Sequence, residues 1–242
     1  MSGKPLFVIN PQLDRTTLAS IFTRDRRVQI RNVLTEETAD TIHGILARGT
    51  RWGLAWNAGE RPADVRHHEL AAMSPAQRQA IGQSIGQAAN ARRYAFAYNR
   101  YPMLDAYLQH WAPDGPHDLL LEHINDTPLL DLVREVTGFD DLIKADAQAT
   151  LFAPNQFLGL HTDSHVGEGW RVAYVLNLTR DWHEDWGGYL LFYDEEGDVV
   201  AGYKPRFNAL NLFAVPQRHS VTYVPPFSPI GRFAITGWFR NK

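Results

Sequence analysis

Hydrophobic positions along this chain change their period near residue 145, and the change separates two groups of predicted elements. In the first group the apolar positions recur every three to four residues. Thr35 precedes Glu36 and Glu37, Ala39, Ile42 and Leu46 fall on one stripe, and Gly49 follows. A capping hydroxyl, acids at the positive end of the helix dipole and a glycine free to adopt a left-handed exit predict an amphipathic helix there. Ser74 and Pro75 open a second predicted helix through PAQRQAIGQSIGQAANARR, and Thr127 with Pro128 a third that stops near Gly138. Between them YAFAY, residues 94–98, alternates aromatic and small side chains and predicts a strand, its aromatic face read as core packing rather than as the wall of a pocket.

From Ala145 onward the period is two. Short apolar runs at AQATLFA, RVAYVLNL, GGYLLFYD, VVAGY, ALNLFAV, SVTYV and RFAITGWF are separated by Gly, Pro and Asp, and DEEGD between two of them is a hairpin turn. So many short strands predict a jelly roll or barrel with the earlier helices packed outside it, a mainly β fold with α additions. There is no internal repeat, low-complexity segment or linker. The expected organisation is a single domain over 1–242, with 1–144 as helical support and substrate mouth and 145–242 as the core strands carrying the site.

Composition narrows the chemistry. Of 242 residues, 44% are hydrophobic and 21% charged, an ordinary globular balance long enough for a substantial core. A net charge of −3 offers no broad basic field, so neither nucleic acid nor an anionic membrane is an expected partner; the arginine-dense TRDRRVQIR is read as a solvated surface. The absence of cysteine excludes disulfides, iron–sulfur clusters and thiol nucleophiles. No basic region followed by an apolar stretch opens the chain, and no run approaches 18 apolar residues, so a cytoplasmic protein is expected.

The densest candidate chemistry is LHTDSHVGEGW, residues 160–170. On an extended strand His161, Asp163 and His165 share one face at about 6 to 7 Å between neighbours. Without cysteine the available ligands are imidazole nitrogen and carboxylate oxygen, which suit Fe(II), Mn(II) or catalytic Zn(II). His161 and Asp163 need a third ligand. His165 continues the face at twice the distance, His183 lies in the polar loop RDWHEDWGG, and His219 in VPQRHSVTYV begins a strand able to run beside the first; His219 is the choice. Such a set occupies one face of an octahedral ion and leaves three positions open. Thirteen residues after His219, Arg232 opens RFAITGWF, where Arg232, Ala234, Thr236 and Trp238 share a face, so Arg232 is placed to hold a carboxylate inside the barrel.

This ordered set, an HxD at His161 and Asp163, a histidine 58 residues after the first and then an arginine, resembles the Fe(II)/2-oxoglutarate-dependent oxygenases. Within them it most resembles the prolyl 4-hydroxylase-like branch that includes the ribosomal-protein prolyl hydroxylases. FLGLHTD, RVAYVLNLTRDW, GGYLLFYD and RFAITGWFR look like that branch's core strands, and RNVLTEETADTIHGIL like its entering helix. The resemblance implies a double-stranded β-helix, the jelly roll of cupin-like proteins. It implies His161, Asp163 and His219 as Fe(II) ligands, Arg232 as partner of the 2-oxoglutarate C5 carboxylate, and Tyr174 as a second partner of that carboxylate. A core tyrosine bonded to backbone is the other reading of Tyr174. Dioxygen is the second implied cosubstrate and ascorbate a further candidate cofactor.

The implied reaction is hydroxylation of an unactivated C–H bond, with release of succinate and CO2. The expected substrate is a prolyl residue of a peptide or protein. The alternatives are a 2-oxoglutarate oxygenase acting on a free amino acid or other small molecule, or a cupin-like metal enzyme without 2-oxoglutarate, which would not need Arg232. The chain departs from the ribosomal enzymes in having no room for their second, degenerate barrel, and Ala234 stands where other branches carry Ser or Thr. Trp52, Trp56, His67, His68, Tyr98 and Tyr101 are candidate substrate contacts.

Overall fold

Side-chain caps at Asp14 and Ser74 start two of the helices, whereas Thr35, the hydroxyl expected to cap another, makes no such bond. In the computed structural model, which describes residues 6–163 and 166–242, Asp14 accepts the Thr17 amide at 3.0 Å and starts α1 (Arg15–Asp25). The chain then turns through a left-handed Arg26 into β1 (Arg27–Arg31). The helix predicted from Thr35 is α2 (Glu36–Gly44), continued by one wider turn to Gly49. Strands β2 (Gly53–Ala58) and β3 (Ala63–Val65) form a hairpin, followed by α3 (His67–Ala72). Ser74 and Gln77 cap α4 (Pro75–Asn90) reciprocally, side chain to backbone in both directions. Next come β4 (Ala95–Tyr101), α5 (Met103–Leu108), α6 (Pro116–Ile124) and α7 (Thr127–Thr137), the last ended by Gly138 at φ +69°.

The remainder is strands: β5 (Lys144–Ala145), β6 (Gln148–Phe152), β7 (Phe157–Thr162), β8 (Trp170–Asn177), β9 (Leu190–Tyr193), β10 (Val199–Tyr203), β11 (Ala209–Ala214), β12 (Arg218–Val221) and β13 (Arg232–Arg240). They hydrogen-bond in the order β1-β11-β8-β13-β6-β4-β7-β12-β9-β10. The result is a mostly antiparallel, nearly closed jelly roll with helices outside, as the period-two pattern predicted. The DEEGD turn between β9 and β10 is tied by Asp194 Oδ1, which accepts the amides of Gly197 (2.9 Å) and Asp198 (2.8 Å).

Two expectations are corrected. The first 144 residues are not only helical support: β1 pairs with β11, and β4 pairs with both β6 and β7, so the sheet crosses that division. TRDRRVQIR is solvated only in part: Arg24, Arg26 and Arg31 are exposed as expected, but Arg27–Arg31 alternates and buries Val28 and Ile30 against the helical layer. Among the described residues no helix is long and apolar enough to cross a membrane.

Strand β8 shows how the layers are divided. Val172, Tyr174, Leu176 and Leu178 join Phe22, Ile42, Leu120 and Val133 in the core beneath the helices. Ala173 and Val175 face the other way, with Phe213 and Ala234, toward Leu190 and Phe192 of β9. That second face is the inside of the jelly roll.

Candidate metal centre

Strands β7 and β12 run antiparallel with His219 directly opposite His161, so an ordinary ladder register brings the two imidazoles together, ring centroids 4.1 Å apart. Asp163 follows the end of β7. Its Oδ1 lies 3.5 Å from His161 Nε2 and its Oδ2 3.7 Å from His219 Nε2. Among the described residues this is the set of His, Cys, Asp and Glu side chains that converges as a metal site would, with the candidate ligand atoms all within 4.8 Å of one another.

The backbone chooses the tautomers. His161 Nδ1 is 3.0 Å from the Gly159 carbonyl and His219 Nδ1 is 2.9 Å from the Gln217 carbonyl. A carbonyl only accepts, so each Nδ1 carries a proton and each Nε2 is the nitrogen turned toward Asp163, the one that would offer its lone pair to a metal. Burial, with His161 alongside, lowers the His219 pKa to about 4 against the pull of Asp163, which keeps the ring in the neutral form that ligates a metal at pH 7.

A cavity of about 600 Å³ opens on this cluster and reaches Arg232. Arg232 is 2% exposed. Its Nε and Nη2 both donate to Asn177 Oδ1, at 3.3 and 3.1 Å, while Nη1 is buried with no partner. Burial lowers the guanidinium pKa to about 10, so it remains a cation at neutral pH, and among the described residues no carboxylate pairs with it. A buried, uncompensated cation is destabilising by several kcal/mol, on the order of 3 to 5 where a partner has been removed. One with a free donor facing a cavity is fitted to an anion. An aromatic wall runs between the cluster and Arg232: Tyr94, beside His161, Phe96 and Tyr98 of the YAFAY segment touch in series, centroids 5.6 and 5.4 Å apart, and Tyr98 continues at 5.2 Å onto Phe152, over whose ring Arg232 lies. The face read as core packing is therefore a pocket wall.

The other sequence candidates lie elsewhere. His183 caps a short turn by accepting the Asp185 amide at 3.2 Å and is more than half exposed, away from the cluster. His165 lies outside the described residues. Tyr174 follows the second of its two readings: its ring joins the core under the helices and its hydroxyl donates to the Asp146 carbonyl at 2.8 Å, although it also borders the cavity beside Val175. Strand β8 is apolar on both faces, so its periodicity could not say which face was the interior. Of the proposed substrate contacts, Tyr98 lines the cavity. Trp52 packs against Phe233, Trp56 beneath α4 and Tyr101 against His117, while His67 and His68 are exposed. Asn177 was missed, though an asparagine inside the apolar run RVAYVLNL is a buried polar group that needed a partner.

A jelly roll that points two histidines and a carboxylate into a cavity, and brings a buried cation to the same cavity, has the groups to hold a metal ion and an anion side by side. A family model agrees: residues 147–240, which include every one of these groups, match that of the 2OG-Fe(II) oxygenase superfamily. No curated protein matches the chain. Among solved structures, a Pseudomonas putida prolyl-4-hydroxylase superposes with a TM-score of 0.60 at 17% identity, covering 94% of this chain and 99% of that one. A 2OG-Fe(II) oxygenase family oxidoreductase from Burkholderia pseudomallei gives 0.59 at 13% identity, covering 98% and 94%. A Trichoplax adhaerens prolyl hydroxylase in complex with a hypoxia inducible factor oxygen degradation domain peptide fragment gives 0.53 at 14%, covering 94% and 89%. At these identities the likeness is one of fold.

Proposed function

We propose that this protein is an Fe(II)- and 2-oxoglutarate-dependent hydroxylase whose substrate is a prolyl residue in a peptide or protein. The observation that carries the cosubstrate assignment is the unpartnered Nη1 of Arg232, at the end of the cavity that begins at His161, Asp163 and His219. His161 Nε2, His219 Nε2 and an Asp163 oxygen would hold the ion. Arg232 would bind the distal carboxylate of 2-oxoglutarate, with Asn177 fixing the plane of its guanidinium. A metal enzyme that does not use 2-oxoglutarate has no need of that buried cation. Bound iron supplies the dioxygen chemistry that turns 2-oxoglutarate into succinate and CO2 and a substrate C–H into C–OH. The chain itself orients the parts and excludes water: Phe152, Val175, Phe213, Leu190 and Val221 line the cavity around the candidate cosubstrate end.

Support for a prolyl substrate comes from the aromatic wall Tyr94–Phe96–Tyr98, which offers flat apolar surface to a pyrrolidine ring, and from the fold shared with prolyl hydroxylases. The net charge of −3 suits a basic polypeptide partner. The test is 2-oxoglutarate turnover with Fe(II) and a panel of proline-containing peptides, free proline and other amino acids, read by succinate release and mass spectrometry. Gain of one oxygen on a peptidyl proline, with free proline a much poorer substrate, is the expected result. Efficient turnover of free proline, or oxygen inserted only elsewhere, would overturn the substrate and leave the cosubstrate reading standing.

A further inference from the structure

Trp238 shares a face of β13 with Arg232, and three restraints fix where its ring points. Its backbone amide donates to Asp146 Oδ1 at 2.8 Å. Its indole lies flat on that of Trp170, centroids 3.9 Å apart and planes at 7°. Its Nε1–H donates to Asp163 Oδ2 at 2.9 Å. The carboxylate between the two Nε2 atoms therefore has one oxygen engaged by a rigidly held donor, while no such bond engages Oδ1 among the described residues.

A carboxylate can ligate through one oxygen or through both. The difference is consequential here, because a two-histidine, one-carboxylate set leaves three positions on an octahedral ion only if the carboxylate supplies a single oxygen. An N–H on one oxygen lowers that oxygen's basicity and stops the group rotating about its Cβ–Cγ bond, the way outer partners of metal ligands act in general. We propose that Trp238 is a positioning residue that holds Asp163 to one-oxygen ligation through Oδ1. The inference rests on reading His161, Asp163 and His219 as the metal set. One strand would then carry both the anchor of the cosubstrate, Arg232, and the residue that keeps a coordination position open for it.

The alternative is that the indole N–H, being buried, simply needed an acceptor. The two are separated by Mn(II) affinity, measured by paramagnetic resonance of the free ion, in wild type, Trp238→Phe and Trp170→Phe, together with the visible absorption of each protein loaded with Co(II). Trp238→Phe should weaken Mn(II) about tenfold or more, and the Co(II) bands should lose intensity as a second carboxylate oxygen raises the coordination number. Trp170→Phe, which leaves the N–H in place, should lose less. Wild-type affinity and an unchanged Co(II) spectrum in Trp238→Phe would overturn the proposal. Should that variant not fold, the wild type carries the test: the Trp238 indole proton should stay hydrogen-bonded and slow to exchange on loading with Zn(II), and its release would overturn the proposal. A wild type that binds no Mn(II) would instead sink the metal reading itself.

Discussion

His117 carries a pH signature of its own outside the candidate metal centre. Its ring lies against Tyr101, centroids 4.3 Å apart, its Nε2 is 2.9 Å from Thr50 Oγ1, and burial lowers its pKa from 6.5 to about 4. The folded protein therefore refuses a proton that the unfolded chain accepts, and stability is full above pH 6.5 and falls as the pH drops toward 4. Across that window the loss from this one residue is on the order of 3 kcal/mol. His117→Gln, which can still donate to Thr50, should flatten the wild-type curve between those limits by roughly 1.4 kcal/mol per pH unit, read as the difference in urea midpoints over a pH series. Parallel curves would mean that the ring is protonated in the folded state. At this same scale the candidate site was unevenly legible. His161, Asp163, His219 and Arg232 could be found because their residue types and order are chemically distinctive. Tyr174 and Val175 were harder to tell apart because both faces of their strand are buried, and one position's shift along it exchanges one face for the other.

Elements that bear the site differ in how tightly they are held, and two glycines measure the contrast. A Cβ on Gly237 would come within 2.2 Å of the Asp146 carbonyl and 2.7 Å of Asp146 Oδ1, a backbone and an ion-paired side chain that cannot both retreat. Gly237→Ala should therefore force β13 outward, lower stability by about 1 to 3 kcal/mol and weaken binding at the neighbouring Trp238 and at Arg232. Gly86 lies exposed in α4 with nothing within 4 Å of the position its Cβ would take, so Gly86→Ala should stabilise by roughly 0.5 to 1 kcal/mol. Chemical denaturation of the pair checks both signs at once, and a neutral Gly237→Ala would show that β13 has slack. The elements followed a similar rule of legibility. Helices with capping signals, α2, α4 and α7, and the strands after residue 145 were read from sequence. Strands β1 to β3 and helices α1, α3, α5 and α6 were not: they are short, or their periodicity is interrupted by charge, as in RVQIR, where two buried residues sit among three polar ones.

On the scale of the whole molecule the candidate site is a joint between layers. His161 and His219 come from the paired strands β7 and β12, whereas Arg232 and Asn177 come from β13 and β8, which lie on the other side of the cavity in the order of the sheet. Set among the apolar residues of that joint are two imidazoles, a buried carboxylate and, among the described residues, a cation lacking a counter-ion, buried polar groups that oppose folding unless something is bound among them. Ligands that bind the folded form alone should therefore stabilise the entire fold by mass action, by about 2.7 kcal/mol at a hundredfold excess over the dissociation constant. For a chain of this length that is a rise in Tm of roughly 5 to 10 °C. Mn(II) should produce such a rise in wild type and in Arg232→Ala but not in His219→Ala. Adding 2-oxoglutarate to the Mn(II)-loaded protein should raise wild type further and leave Arg232→Ala where it was. The ordering of the two ligands is the discriminating result. A 2-oxoglutarate shift that persists in Arg232→Ala would move the carboxylate's partner to another cation, and a Mn(II) shift that persists in His219→Ala would break the three-residue set.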